Sequence, residues 1–193
     1  MDEKRMDEIA RAALTEGRSA LTELEGMGIL DAMGITTPWR VFVRDASEAA
    51  QVSRMEKLRG ERIVVKVVSS TILHKTEVGG VAITPNTPKD IEAAVSGMAS
   101  RLAGMSYEGF SLNELVSFEN ALGREIIVGY RFTSDFGPIV SLGFGGVYAE
   151  YLAKAFRPGA ATIVLSPATA SLELVRNELS HNALQDILSG GLR

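Results

Sequence analysis

The stretch Val64-Val65-Lys66-Val67-Val68-Ser69-Ser70-Thr71-Ile72-Leu73-His74-Lys75-Thr76-Glu77-Val78-Gly79-Gly80-Val81 decides how the chain is read. Its first half, extended back to Arg62, has the β-branched apolar character of a strand. An ammonium sits in the middle of it. A lysine flanked by valines on both sides is unfavourable unless its head reaches water or meets an anion. Two readings fit Lys66: a contact to an anionic ligand, or an edge-strand lysine that guards against aggregation. Beyond the strand comes a loop rich in donors, Ser69, Ser70, Thr71, Lys75 and Thr76, ending in Gly79-Gly80. Glycines let a backbone approach phosphate closely, and His74 lies between the hydroxyls and those glycines. A lone loop histidine is usually inert, but these neighbours make a phosphate-friendly setting.

Working outward, the apolar residues between Met6 and Met33 recur at helical spacing (Ile9, Ala12, Ala13, then Leu21, Leu24, Met27, Ile29, Leu30). A break at Glu16-Gly17 predicts two helices, the second stopping at Gly34. Trp39 to Val43 reads as a strand and Ser47 to about Leu58 as a helix, so that with Arg62 to Val68 the rhythm is β-α-β. Downstream, Val81 to Ile83 is a short apolar stretch, and Pro88 opens a helix to about Leu102 with Ile91, Ala94, Val95 and Met98 on one face. Phe110 to Ser117 reads as a strand. The apolar runs Arg124 to Phe132 and Pro138 to Leu142 are separated by Thr133-Ser134-Asp135-Phe136-Gly137, a hairpin turn by composition. A strand at Thr162 to Leu165 and one helix from Ser171 to about Leu188 complete the pattern. Mixed elements with a local hairpin predict an α/β (α+β) chain of two small mixed-sheet lobes, with a hinge near Ser117 to Gly123.

Composition removes whole classes of function. The 193 residues include 20 Lys+Arg against 24 Asp+Glu, a net charge of −4, so the general pull on a polyanion that marks nucleic-acid binders is missing. There is no cysteine, which excludes disulfides, thiolate nucleophiles and Cys-ligated metals, and His74 and His181 are the only imidazoles. No apolar run approaches the roughly 18 residues of a membrane span, so neither a membrane nor a nucleic acid is expected as a partner and a cytoplasmic location is. Gly26-Met27-Gly28 lies inside a helical pattern, which rules out a dinucleotide fingerprint, and neither a P-loop nor a G-x-S-x-G elbow occurs. Gly143, Gly145 and Gly146 follow an apolar strand. A phosphate cradle and a plain tight turn both fit them. His181 reads as a solvated surface histidine.

Four stretches, taken in order, resemble the ATP-grasp part of the NDP-forming acyl-CoA synthetases, the family of ADP-forming acetyl-CoA synthetase. They are Leu21-Thr22-Glu23-Leu24-Glu25 through Ala32-Met33-Gly34-Ile35, the Lys66 strand with Ile72-Leu73-His74-Lys75-Thr76-Glu77-Val78-Gly79-Gly80-Val81, Glu125-Ile126-Ile127-Val128-Gly129, and Phe136-Gly137-Pro138 with Gly143-Phe144-Gly145-Gly146. The resemblance runs from about Leu21 to Glu150 and thins beyond. It implies an ATP-grasp fold with a helical segment at 1–20, an N-terminal lobe at 21–116 and a C-terminal lobe at 117–193. It also implies a reaction in which NTP, a carboxylate and CoA interconvert with acyl-CoA, NDP and phosphate through acyl-phosphate and phosphohistidine intermediates. By resemblance His74 ferries the phosphoryl group. Lys66 contacts nucleotide phosphates, with Lys75, Gly79 and Gly80 in a phosphate loop and Gly143, Gly145 and Gly146 also at the nucleotide. Glu125 matches the ribose-binding carboxylate, and backbone at Ser117, Phe118 and Glu119 reads the adenine edge. ATP/ADP, or another NTP/NDP pair, is the implied nucleotide.

The chain also departs from that pattern. Phe118 replaces the family's hinge glutamate, and Phe132-Thr133-Ser134 replaces Arg-Asp-Pro, leaving Asp135 as a stand-in of open role. Glu150 matches a family acid after the glycine tract. The family's closing acidic-x-Asn-Pro strand, which holds Mg2+, has no counterpart, as no E-x-N, D-x-N or Asn-Pro occurs. No metal site is therefore expected here, Mg2+ belongs to the complete enzyme, and the C-terminal lobe reads as incomplete. The implied partners are CoA-binding and ligase domains from the same gene or a separate subunit, with room for a homo- or hetero-oligomer, and the chain alone is expected to be inactive. The competing expectation is a non-catalytic regulatory or scaffolding subunit that keeps the fold.

Overall fold

The computed structural model describes residues 1–55, 58, 60–72, 74–118, 125–146, 149–157 and 159–189. The chain divides into two compact units, Met1–Ser117 and Phe118–Arg193. No helix among the described residues is long and apolar enough to cross a membrane.

The first unit opens with helices α1 (Glu3–Thr15) and α2 (Glu23–Ala32), then runs β1 (Arg40–Val43), α3 (Ala46–Met55), β2 (Arg62–Val68), β3 (Val81–Pro85), α4 (Pro88–Arg101) and β4 (Gly109–Glu114). Its strands form one sheet in the order β1-β4-β2-β3, every neighbour antiparallel. β1 and β2 are therefore parallel to each other with β4 between them, so the predicted β-α-β unit is present in split form. Alternation sends Ile63, Val65 and Val67 of β2 and Phe110 and Leu112 of β4 to one face, where Ala49 of α3 and Ile91, Val95 and Met98 of α4 complete a buried core.

Local signals explain the helix boundaries. Thr22 caps α2 in a reciprocal capping box with Glu25, and Thr87 caps α4 with Pro88 in the first turn. Arg18 grips both oxygens of Glu25, which joins the turn after α1 to the start of α2.

The second unit contains β5 (Ile126–Thr133), β6 (Gly137–Phe144), α5 (Ala149–Ala155), β7 (Thr162–Leu165), α6 (Leu172–Ser180) and α7 (Ala183–Leu188). β5 and β6 form the expected hairpin, with Thr133 opposite Gly137, and the antiparallel sheet order is β5-β6-β7. Phe144, Ala161 and Leu184 make a small core on which Phe156 stacks. Val128, Tyr130 and Phe132 of β5 remain exposed.

Four expectations need correction. β2 is an interior strand, so Lys66 is not an edge lysine. The last helix is two helices, because Asn182 turns inward: its amide donates to the Gly159 carbonyl and its oxygen caps Leu184, starting α7 afresh. α5 was not expected, although Ala149, Leu152, Ala153 and Phe156 carry a short helical spacing between the glycines at 143–146 and Gly159. β4 also ends at Glu114, short of Ser117.

Candidate functional site

Lys66 faces away from the core valines because side chains alternate along β2. Its cross-strand neighbours are Val81 on β3 and Ser111 on β4. Its head is largely shielded, and the structure supplies an anion for it. Lys66 Nζ donates to Glu23 Oε1 at 2.5 Å, while Lys75 Nζ donates to the other oxygen, Oε2, at 2.7 Å. Glu23 stands in the first turn of α2, where the helix dipole favours a carboxylate. Burial pushes its carboxyl upward, but hydrogen bonds and charge from the two ammoniums outweigh that and hold it below the usual glutamate range.

His74 lies at the rim of the same place. Its side chain is 78% exposed, and Nδ1 is 3.7 Å from Glu77 Oε1. Glu23, Lys66, His74, Lys75, Thr76, Glu77 and Val81 together line a cavity of about 420 Å3. Two ammoniums and an accessible imidazole thus converge on open space, a combination suited to holding an anion beside a nucleophilic nitrogen.

The remaining loop residues serve the loop itself. Ser69 is buried and donates to the Ser106 carbonyl, and Thr71 bonds the same carbonyl, so these hydroxyls hold the loop in place and are not offered to a ligand. The Gly79 and Gly80 amides donate to the Thr76 and Lys75 carbonyls, closing the turn on itself. A Cβ on Gly80 would come within 2.6 Å of Val67 Cγ1, which is why a side chain is excluded there. Arg101, from the last turn of α4, donates to the Gly79 carbonyl at 3.3 Å.

The other candidates lie elsewhere. Ser117 and Phe118 are exposed at the boundary of the two units, and Glu119 lies outside the described residues. In the second unit the Glu125 carbonyl accepts from the Gly145 amide at 2.8 Å, and the Glu125 carboxylate lies against Gly146, whose φ of +73° suits glycine. Gly143 is a strand residue of β6, close under Thr162 and the Ala161 carbonyl. Asp135 accepts from the Ser134 hydroxyl in the hairpin turn, Glu150 lies in α5, and His181 caps the end of α6 with Nδ1 2.8 Å from the Asn177 carbonyl.

Glu23 and Glu77 were not read from the sequence as site residues. A signal for Glu23 exists in the Thr22-x-x-Glu25 box, which marks it as a first-turn residue, but nothing local shows that the turn meets β2. Among the described residues no three His, Asp or Glu side chains converge to hold a metal ion. The Glu23 carboxylate is already shared between two ammoniums, so this donor set does not fit a protein-held divalent cation.

The chain has a two-sheet α/β architecture, and in its first unit a strand lysine and a loop histidine line one cavity. Residues 12–189 match the family model described as ATP-grasp domain, and the chain belongs to that family. Among curated relatives, an ADP-forming acetate–CoA ligase I of Archaeoglobus fulgidus is 31% identical over 156 residues, covering 79% of this chain and 22% of the relative. The beta subunit of ADP-forming acetate–CoA ligase I of Pyrococcus furiosus is 31% identical over 153 residues, covering 76% of this chain and 64% of the subunit. The chain thus spans from about a fifth to just under two thirds of these relatives. A solved acetyl-coenzyme A synthetase 1 of Ca. Korarchaeum cryptofilum, described as bound to coenzyme A and acetyl-coenzyme A with a phosphorylated phosphohistidine segment, shares the fold. Its TM-score is 0.71 at 20% identity, with 95% of this chain and 75% of that one covered.

Proposed function

We propose that this chain is the nucleotide-binding and phosphohistidine-transfer portion of an NDP-forming acyl-CoA synthetase. The observation that carries the reading is the accessible ring of His74 on one cavity with the ammoniums of Lys66 and Lys75. In the proposed step His74 Nε2 attacks the γ-phosphorus of ATP. The N–P bond forms as the bond to the β,γ-bridging oxygen breaks, ADP departs with that electron pair, and the proton on Nδ1 passes to water. Glu77, 3.7 Å from Nδ1, offsets the positive charge that builds on the ring. Lys66 and Lys75 offset the charge on the phosphates. Imidazole suits the task because a phosphoramidate passes its group onward in either direction, whereas a serine phosphoester would be a trap.

The curated relatives support a ligase reading, and the Korarchaeum enzyme supports a phosphohistidine. In this reading residues 21–116 and 117–193 are the two lobes, Glu125 meets the ribose, and Ser117 to Glu119 meet the adenine. CoA-binding and acyl-transferring domains come from the same gene or a partner subunit, so the 193 residues alone do not turn over.

The test is acid-labile labelling from γ-phosphoryl-labelled ATP in the complete assembly. Label is expected on the wild-type chain and absent from His74→Asn; label that persists in H74N overturns the assignment. The departures at Phe118 and at Phe132-Thr133-Ser134 favour the second reading, a non-catalytic subunit that keeps the fold. Calorimetric titration with Mg-ATP, of the chain alone and with a complete C-terminal segment added back, separates the two: heat of binding supports a nucleotide site, and its absence from both supports the second.

A further inference from the structure

Glu23 takes no part in the phosphoryl step above, yet it touches both cations on which that step relies. Its two oxygens are divided between Lys66 Nζ and Lys75 Nζ. The three residues come from the first turn of α2, the interior strand β2 and the loop position next to His74. A carboxylate resembles one edge of a phosphate, with two oxygens and a negative charge, and here it fills the gap between two ammoniums that an anion would otherwise bridge.

We propose that Glu23 is a built-in anion: it holds Lys66 and Lys75 converged and the His74 loop docked until a polyphosphate arrives, and it weakens polyphosphate binding as a consequence. The inference rests on the nucleotide-phosphate reading of the site and names a regulating residue within it.

Its physics gives opposite signs for two observables. With Glu23 neutralised, the trio changes from one net positive charge to two, so an incoming polyphosphate meets a stronger field and no competing carboxylate. At the same time Lys75 loses its charged partner and the loop is left to its other tethers, among them the Arg101 bond to the Gly79 carbonyl, the Val67 amide bond to the Gly80 carbonyl and the Ser69 and Thr71 bonds to the Ser106 carbonyl. Anion affinity then rises while transfer to His74 slows. A residue of merely structural importance would lower both.

The experiment is calorimetric titration of the 193-residue chain, wild type and Glu23→Gln, with inorganic tripolyphosphate and separately with ATP, alongside the rate of His74 labelling in the complete assembly at saturating ATP. Tripolyphosphate is expected to bind E23Q about fivefold to tenfold tighter, the effect of one charge in a partly solvated site, and labelling is expected to slow. The gain should shrink in the double variant Glu23→Gln with Lys75→Met. Equal or weaker tripolyphosphate binding by E23Q overturns the proposal, as does silence in both proteins. A measurement on the wild type alone guards against a variant that folds poorly: the Glu23 carboxyl carbon signal should move as tripolyphosphate saturates the site, and a signal that stays put also overturns the proposal. ATP binding no more tightly than tripolyphosphate would count against the nucleotide reading while leaving the Glu23 comparison intact.

Discussion

Lys75 donates to Glu23 Oε2 at 2.7 Å, so the residue that follows His74 is tied to a helical turn 52 positions earlier in the chain. That ion pair is largely shielded, with the Lys75 side chain 16% exposed, which places it above the ordinary surface pair in worth. Replacing Lys75 by Met should therefore loosen the loop locally. The expected reading is faster amide hydrogen exchange at Glu77, Gly79 and Gly80, whose N–H groups bond within the turn, equivalent to about 1 kcal/mol of local protection. Exchange at wild-type rates would show that the turn stands without the anchor.

Acid should dissolve the same contact. The folded-state pKa of Glu23 is depressed: burial raises it, but Lys66 and Lys75 lower it further. A carboxyl of that kind contributes stability above its unfolded value, about 4.3, and the contribution disappears as pH falls through the folded value. Wild type should exceed Glu23→Gln in stability at neutral pH, and the gap should close on acidification below about pH 4. Urea unfolding of both proteins across pH measures it, and a gap that stays constant would contradict the pairing. Absolute stability is a poor guide, because Glu25, held low by Arg18, and Asp31, held low by Thr37 and Arg40, give way over the same acid range.

The same triad shows which features the letters can carry. The valines around Lys66 announce a strand, and the capping box at Thr22 announces a helix, because both signals are local. Sheet order is not local. A lysine in an apolar strand suggests an edge, yet β2 is interior and tolerates Lys66 because a carboxylate 43 residues upstream meets it. His74 and Lys75 are legible together as sequence neighbours, whereas Glu23 joins them only through the docking of α2. The β5–β6 hairpin is readable for the same reason as the helices, its turn lying between the runs it joins. The division of α6 from α7 depends on Asn182 finding the Gly159 carbonyl 23 residues away, which no periodicity records.

Two glycines should answer the same substitution with opposite signs. Gly26 lies inside α2 with nothing within 4 Å of the place a Cβ would occupy. There the exchange to Ala only removes backbone freedom from the unfolded chain and improves helix propensity, so Gly26→Ala should stabilise by about 0.5–1 kcal/mol. Gly80 is different. A Cβ there would sit 2.6 Å from Val67 Cγ1 and 3.0 Å from the Lys75 carbonyl oxygen. Val67 is fully buried between β2 and the helices and cannot give way, so the strain must open the loop instead. Gly80→Ala should cost about 1–3 kcal/mol, read from the urea midpoint. Because Lys75 is the carbonyl partner that the Gly80 amide would lose, the variant should also expose the loop amides to exchange as Lys75→Met does. Destabilisation with the loop amides still protected would mean that the strain is absorbed in the core and that the turn does not depend on the close approach of Gly80 to β2.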